Sequence, residues 1–338
     1  MTGIVVEPRT ARFAGALLGV HAGDSLGAAV EFDTWTLIRR AYPTGLRDII
    51  GGGPFDWPAG HATDDTDLTR AVLLAYLDQA ADPGLDVVRR AADHMLDWVN
   101  GTWPGRRAGE RPKDIGGATQ AGLANYSRHG DPARSGAGVG QAGNGSLMRC
   151  IPTALARPRD TDKDRRLAEV MAISAITHDD PRCTIACAAY VEAVVALLDD
   201  PQPRMAHAAA LATAHHAAQE LGVGRDVAIA LQAAEELSLT DMADRGQIDA
   251  VGAGSGYVLN ALTIAFTALL DPRPLEDALV DVVRIGSDTD TNAAIAGGLL
   301  GARDGVAGIP ARWLDVLQFR DEFLEAATTF GTGASAGT

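Results

Sequence analysis

Apolar residues recur every three or four positions along most of this chain, and sustained apolar–polar alternation is scarce. The first spacing lines one face of a helix, whereas alternation would line one face of a strand. The helical rhythm runs through 68–77, 87–99, 167–176, 185–198, 205–221, 227–237, 257–270, 275–285, 293–302 and 313–323. Residues 12–30 add a stretch rich in Ala, Gly and Leu, small enough to let helices approach closely. An all-α fold of about ten helices is predicted, with boundaries good to a few residues. The chain has 338 residues, 46% of them apolar, which is material for a sizeable core. No low-complexity linker and no repeat of about 20–50 residues divides it. One compact domain over 10–328 is expected, with flexible ends at 1–9 and 329–338.

Three irregular stretches stand out: 42–63, 101–117 and 130–146, all rich in Gly. Loops this long inside a compact domain are uncommon and often functional. Acidic residues number 44 against 29 basic, a net charge of −15. Nucleic-acid binding needs Lys and Arg to replace counterions, so no nucleic-acid surface is expected. Carboxylates in excess do permit a cation site. The three cysteines, Cys150, Cys183 and Cys187, are too few for a disulfide scaffold and are read as buried small hydrophobes. The N-terminus lacks the pattern of a secretory signal, and no apolar run of about 18 residues is free of polar breaks. A cytoplasmic protein without a membrane span is expected, and a monomer.

The sharpest local feature is His61-Ala62-Thr63-Asp64-Asp65-Thr66-Asp67, directly before an amphipathic helix. Asp and Thr at a helix start cap free N–H groups and complement the dipole. Three acids and two threonines in five positions exceed what a cap needs, and adjacent carboxylates repel. A bound cation would offset that repulsion. A second cluster, Gly286-Ser287-Asp288-Thr289-Asp290-Thr291-Asn292, precedes the Ala-rich helix at 293–302. If the fold brings the two helix mouths together, four carboxylates and two hydroxyls converge. That is an all-oxygen donor set, suited to Mg²⁺, Mn²⁺ or Ca²⁺ rather than zinc. Near the N-terminus, Asp24 sits in the small-residue run Gly19 to Gly27 and is given a structural role. Glu31 follows seven residues later, two helical turns on, where it could share a face with Asp24.

Taken together, these segments resemble the ADP-ribosylglycohydrolase family over nearly the whole chain. The resemblance rests on ordered motifs: Gly23-Asp24-Ser25-Leu26-Gly27, Thr63-Asp64-Asp65-Thr66, Gly143-Asn144-Gly145-Ser146-Leu147-Met148-Arg149, Thr177-His178, Gly254-Ser255-Gly256-Tyr257-Val258, and Gly286 to Gly297. It implies an all-α fold with two Mg²⁺ ions, Mn²⁺ being possible, at the base of a cleft. By resemblance, Thr63, Asp64, Asp65, Asp288, Asp290 and Thr291 would be metal ligands, and Glu31 a glutamate beside the metals. Glu31, Asp64 and Asp290 would carry the catalysis. Gly116, Gly117 and Thr119 resemble a loop that meets a diphosphate. Gly143, Asn144, Gly145, Ser146, Leu147 and Met148 resemble a second phosphate and ribose loop, with His178, Gly256 and Tyr257 on the ribose and adenine side. Glycine lets backbone N–H groups come close to phosphates.

The expected activity is metal-dependent hydrolysis of the bond between ADP-ribose and a protein side chain, arginine first, or a small conjugate. Glu31 would orient the attacking water or take its proton. Arg149 is left open between a phosphate partner and a structural one. The sequence departs from the family in one place: Ala62, preceded by His61, stands where members often carry Trp. That touches substrate fit and leaves the metal ligands intact. Two other readings compete. A non-catalytic ADP-ribose- or partner-binding protein should have lost acids from the clusters, and none is lost here. An all-α nucleotide pyrophosphatase would use Glu-rich helix faces, which these clusters lack.

Overall fold

The computed structural model describes residues 7–220, 222–246 and 256–331. Among them the chain forms helices and no strand, apart from isolated bridges pairing Gly52 with Trp57 and Gly143 with Tyr257. The first half carries α1 (Pro8–Gly27), α2 (Trp35–Ala41), α3 (Asp64–Ala81), α4 (Val87–Val99), α5 (Gly117–His129), α6 (Ile151–Ala156), α7 (Lys163–Ala175) and α8 (Pro181–Asp199). The second carries α9 (Pro203–Glu220), α10 (Arg225–Glu236), α11 (Leu239–Arg245), α12 (Val258–Leu270), α13 (Leu275–Arg284), α14 (Thr289–Asp304), α15 (Ala311–Leu314) and α16 (Arg320–Gly331). The helical body thus reaches from Pro8 to Gly331. The remainder of the expected flexible ends, 1–6 and 332–338, lies outside the described residues, as do Gly254 and Ser255.

The centre of the fold is the pair α1 and α14. Both are buried on nearly every side, which is the pattern of core helices. Their contact is main chain against main chain. A Cβ placed on Gly15, Gly19 or Gly23 would stand 2.2, 2.1 or 2.0 Å from the carbonyl oxygen of Gly301, Gly297 or Ala293. The two helices are antiparallel and step by four residues in opposite directions, so one helical turn of each matches one turn of the other. The ladder ends at Gly27, whose carbonyl accepts from Thr289 Oγ1 at 2.8 Å. Beyond it, Phe32 N–H donates to Ser287 C=O and Ser287 N–H donates to Asp33 C=O, both at 2.8 Å. The register therefore delivers Glu31 and the start of α14 to one place.

Asp24 fixes the third element. Its buried Oδ2 accepts from the Thr63 and Thr66 N–H groups at 3.1 and 3.2 Å and from Thr66 Oγ1. The mouth of α3 is thus pinned to α1, and Asp24 takes the structural part. α1 extended to Val30, and α8, are long and apolar enough to cross a membrane by length and composition, but 94% and 83% of those stretches are buried inside the fold.

Among the described residues there are sixteen α-helices, where about ten were expected. α2, α6 and α11 are too short to show a periodic signal, and α5 is rich in Gly and polar residues. The stretch 313–323 is not one helix: the chain turns between α15 and α16, where Gln318 N–H donates to Gly60 C=O. Residues 12–30 also break, because α1 stops at Gly27 and a 3-10 turn covers Ala28–Val30. Glu31 therefore does not share a helix face with Asp24; it leaves that turn on extended backbone. The three cysteines are free and buried.

Candidate active site

The two acid clusters meet. Asp65 is fully buried, and its Oδ2 accepts from Thr63 Oγ1 at 3.2 Å and from Thr291 Oγ1 at 3.3 Å, so one carboxylate joins both helix mouths. Capping explains only part of what lies there. Thr63 Oγ1 caps α3 through the Asp65 N–H at 3.3 Å, while Asp288, the N-cap of α14, makes no capping bond. Asp288 instead accepts from Asn144 Nδ2 at 2.7 Å. Asp290 accepts from the Thr291 N–H at 2.9 Å. Asp67 turns away: both its oxygens are taken by the indole N–H groups of Trp98 and Trp103, at 2.8 and 2.7 Å.

Two further acids complete the group. Glu31 and Asp114 present oxygens that, with one from Asp290, lie within 4.8 Å of one another. Asp114 also shares a hydrogen bond with Asp64. Sequence reasoning missed Asp114, a lone acid in a charged loop with no Thr or acid beside it. Its one signal was its place two residues before Gly116-Gly117.

Six acids in so small a space cannot all hold charge. Burial pushes Glu31 up to about 9, with Asp114, Asp288 and Asp24 adding to it. Burial lifts Asp114 to about 6 and Asp24 to about 7. Asp64, Asp65 and Asp290 are driven well above the carboxylate range by burial first and by neighbouring carboxylates second. Among the described residues none of the six is ion-paired to Lys or Arg. Glu31 Oε2 and Asp65 Oδ1 are buried without any hydrogen-bond partner. Orphaned carboxylate oxygens, an all-oxygen donor set and unrelieved like charge together fit a hard divalent cation.

Two chambers flank the acids. One, of about 300 Å³, is lined by Glu31, Asp64, Asp114, Asp288 and Thr291 and by the glycine-rich segments. Gly116, Gly117, Thr119, Gly143, Asn144, Gly145, Met148, His178 and Gly256 all line it. Gly116 is the N-cap of α5 and supplies no side-chain cap, which leaves the first N–H groups of that helix free for an anion. A Cβ on Gly143 or Gly145 would stand 3.2 or 3.0 Å from the His178 ring, so glycine keeps this loop close to it. Burial holds His178 down at about 3, so it is neutral. Arg149 lies beneath, fully buried, donating to Gly145 C=O and to Thr177 Oγ1 at 2.5 and 2.7 Å. It supports the loop and does not reach the chamber lining. Three expected contacts fall elsewhere. Ser146 and Leu147 are buried beneath the loop, and Tyr257 lies under the Arg182 guanidinium, 5.7 Å from its ring centre.

The second chamber, about 250 Å³, lies on the other flank of Asp64 and Asp114 and is walled by Trp57 and His61, whose rings stack 4.9 Å apart. Ala62 brings no ring to this chamber; Trp57, from the 42–63 loop, supplies an aromatic wall there. His61 Nδ1 donates to Ala62 C=O at 2.6 Å, which leaves Nε2 as an acceptor. A larger cleft of about 650 Å³ near α13 has no such chemistry, since its Arg273 and Arg303 are ion-paired to Asp271, Asp281 and Asp304.

The profile of the family described as ADP-ribosylglycohydrolase matches residues 6–336. The chain belongs to the ADP-ribosylglycohydrolase family. Among relatives, the ADP-ribosyl-[dinitrogen reductase] glycohydrolase of Rhodospirillum rubrum is 30% identical over 326 residues, covering 95% of this chain and 94% of the relative. The ADP-ribosylarginine hydrolase Tri1 of Pseudomonas putida is 28% identical over 309 residues, covering 90% and 73%. A solved structure titled ADP-ribosylglycohydrolase-related protein complex superposes with a TM-score of 0.75 at 27% identity, covering 97% of this chain and 99% of that one. These likenesses make the protein a hydrolase of the ADP-ribosylglycohydrolase type with the all-α fold of that family.

Proposed function

We propose that this ADP-ribosylglycohydrolase cleaves the bond between ADP-ribose and a modified arginine side chain, reversing ADP-ribosylation of a cytoplasmic protein. The observation that carries the reading is the convergence of six acids between a glycine-rich chamber and an aromatic one. The names of the relatives support the ADP-ribose part, and two of them name dinitrogen reductase and arginine. Free cysteines suit a reducing compartment.

Thr63, Asp64, Asp65, Asp288, Asp290 and Thr291 would hold two divalent cations, Mg²⁺ first and Mn²⁺ as the alternative. Bound there, such cations supply positive charge that can hold ribose hydroxyls and acidify water. The chain's own residues do the rest. The free N–H groups at the start of α5 and the Gly143–Gly145 backbone face the diphosphate. Asn144 fixes Asp288 and leans the loop toward the acids. Glu31, ionised once positive charge sits among these acids, would take the proton of the attacking water at Oε2, the oxygen that no other group occupies. Water adds to the anomeric carbon, the carbon–nitrogen bond breaks, and the proton ends on the departing guanidine.

The test is a release assay on arginine-, serine- and nucleobase-linked ADP-ribose conjugates, with and without EDTA. Arginine-linked conjugate is released, EDTA stops release, and Mg²⁺ or Mn²⁺ restores it. Release that survives full chelation contradicts the cation reading. Binding of ADP-ribose with no turnover of any linkage favours a binding protein instead. The Glu31→Gln variant is expected to lose about 10²–10⁴-fold in turnover, the usual worth of a placed proton acceptor. Calorimetry should show its Mg²⁺ affinity nearly unchanged, and undiminished turnover removes Glu31 from the chemistry.

A further inference from the structure

The loop between α4 and α5 concentrates positive charge in an acidic chain. Arg106, Arg107, Arg111 and Lys113 fall within eight residues, and Lys113 is one of only two lysines. Arg107, Arg111 and Lys113 are exposed. Arg106, Arg111 and Lys113 line the aromatic chamber beside Trp57 and His61. None of the four makes an ion pair among the described residues. Their partners are neutral: Arg106 donates to Trp98 C=O at 2.7 Å and lies over the Trp98 ring, and Lys113 donates to Phe55 C=O at 3.0 Å and lies 5.1 Å from the Trp57 ring centre. Glu110, the acid of this run, is turned to the Arg107 backbone N–H at 3.0 Å. Some other surface arginines are neutralised, as Arg47 is by Glu276 and Asp277, and Arg312 by Asp48 and Glu276; what sets this run apart is four cations within eight residues at the edge of a chamber.

This charge does not serve to quiet the acid cluster. The raised carboxyls of Asp64, Asp65 and Asp290 answer to burial and to one another. The positive groups face outward from the mouth of the chamber that, on the reading above, receives the modified side chain. A substrate with its ADP-ribose in the glycine-rich chamber must pass the rest of its chain over this lip. The protein as a whole carries −15 and repels an acidic partner; Asp64, Asp67, Glu110 and Asp114 also line this chamber, and the positive charge belongs to its rim, where Arg107, Arg111 and Lys113 are exposed.

We propose that the 106–113 lip docks an acidic stretch flanking the modified residue of the substrate protein. The proposal rests on the hydrolase reading for the direction in which substrate lies. Rim charges of this kind govern association rate and salt dependence more than the chemical step.

The test compares two labelled peptides carrying the same ADP-ribosylated arginine, one flanked by Glu and one by Lys, with free ADP-ribosyl-arginine as the small conjugate. Fluorescence anisotropy on Glu31→Gln protein with Mg²⁺ reads binding, and release of ADP-ribose by the unmodified enzyme reads hydrolysis. The Glu-flanked peptide should bind on the order of tenfold more tightly at low salt, a preference that fades as salt rises. The Arg107→Glu variant, at the one cation of the run outside the chamber lining, should shrink the preference while turnover of ADP-ribosyl-arginine stays within about twofold. Equal binding of the two peptides overturns the lip. So does an Arg107→Glu variant that slows the small conjugate as much as the peptide, for that is the mark of a general field on the site. A wild-type preference with no release from any conjugate sinks the hydrolase reading and leaves the lip standing.

Discussion

Asp65→Asn abolishes most turnover yet makes the metal-free protein more stable. The loss should be at least about a hundredfold, since outer-shell partners of a metal alone cost about 10–100-fold when removed. Asp65 bridges both helix mouths and offers a buried oxygen that nothing in the chain satisfies. Stability moves the other way because of where the protons lie. Glu31 at about 9, Asp24 at about 7 and Asp114 at about 6 sit above their ordinary values of 4.5, 3.8 and 3.8. The folded metal-free protein therefore binds more protons than the unfolded chain between about pH 4 and 9, and its stability falls as pH rises through that window. His21 and His178 oppose this below about pH 6.5. Burial holds both at about 3, so the unfolded chain takes up protons there that the folded one refuses. The raised carboxyls outnumber the two histidines, so in EDTA the melting temperature should be highest on the acid side of neutral and fall toward pH 9, with Mg²⁺ flattening the alkaline side. Asn at 65 keeps the shape and cannot ionise, so it removes that group's share of the alkaline loss. Its amide faces Asp64 and Asp290, whose carboxylates repel the group it replaces. A variant that melts lower than the parent in EDTA at pH 8 would mean that the threonine hydrogen bonds outweigh the repulsion.

Gly19→Ala is the second large effect, and its sign is the informative part. In an exposed helix interior, Gly to Ala stabilises by about 1 kcal/mol. Here the added Cβ would sit 2.1 Å from Gly297 C=O, which is backbone and cannot swing aside. Helices α1 and α14 would have to part, at about 3 kcal/mol or more, the upper range for overpacking. Thermal denaturation should show a melting temperature lower by at least about 5 °C. The same change at Gly130, where nothing lies within 4 Å but φ is +66°, isolates backbone strain from steric contact and serves as the control. A Gly19→Ala protein as stable as its parent would show that the helices can separate at little cost.

Much of the site was legible because its signals are local. Thr63-Asp64-Asp65-Thr66 and Asp288-Thr289-Asp290-Thr291 each pack several oxygens into one helical turn, and no ordinary cap needs so many. The small residues of α1 showed that some helix would come close. They did not show which one, since the matching residues of α14 lie almost at the other end of the chain. Glu31 was placed near the site for the wrong geometric reason: helix α1 stops at Gly27, and the backbone pairing of Phe32 and Asp33 with Ser287 does the positioning. Asp114 carried no pattern because its partners come from other segments. Ser146 and Leu147, expected with the rest of their motif to meet ligand, lie buried outside the chamber lining. Within that motif Gly143, Asn144, Gly145 and Met148 line the chamber, while Ser146 and Leu147 pack beneath it.

The glycine contact between α1 and α14 has a consequence for synthesis. More than 250 residues must be translated after α1 before the helix that covers its glycine face exists. At about 5–20 residues per second that is on the order of tens of seconds. Throughout that time the ribosome carries a long apolar helix whose backbone groove is open, resembling in composition a segment bound for a lipid bilayer. Only the arrival of α14 closes it, and the same arrival delivers the second set of acids. Completion of the reaction centre and closure of the core are therefore one event in the folding of this chain.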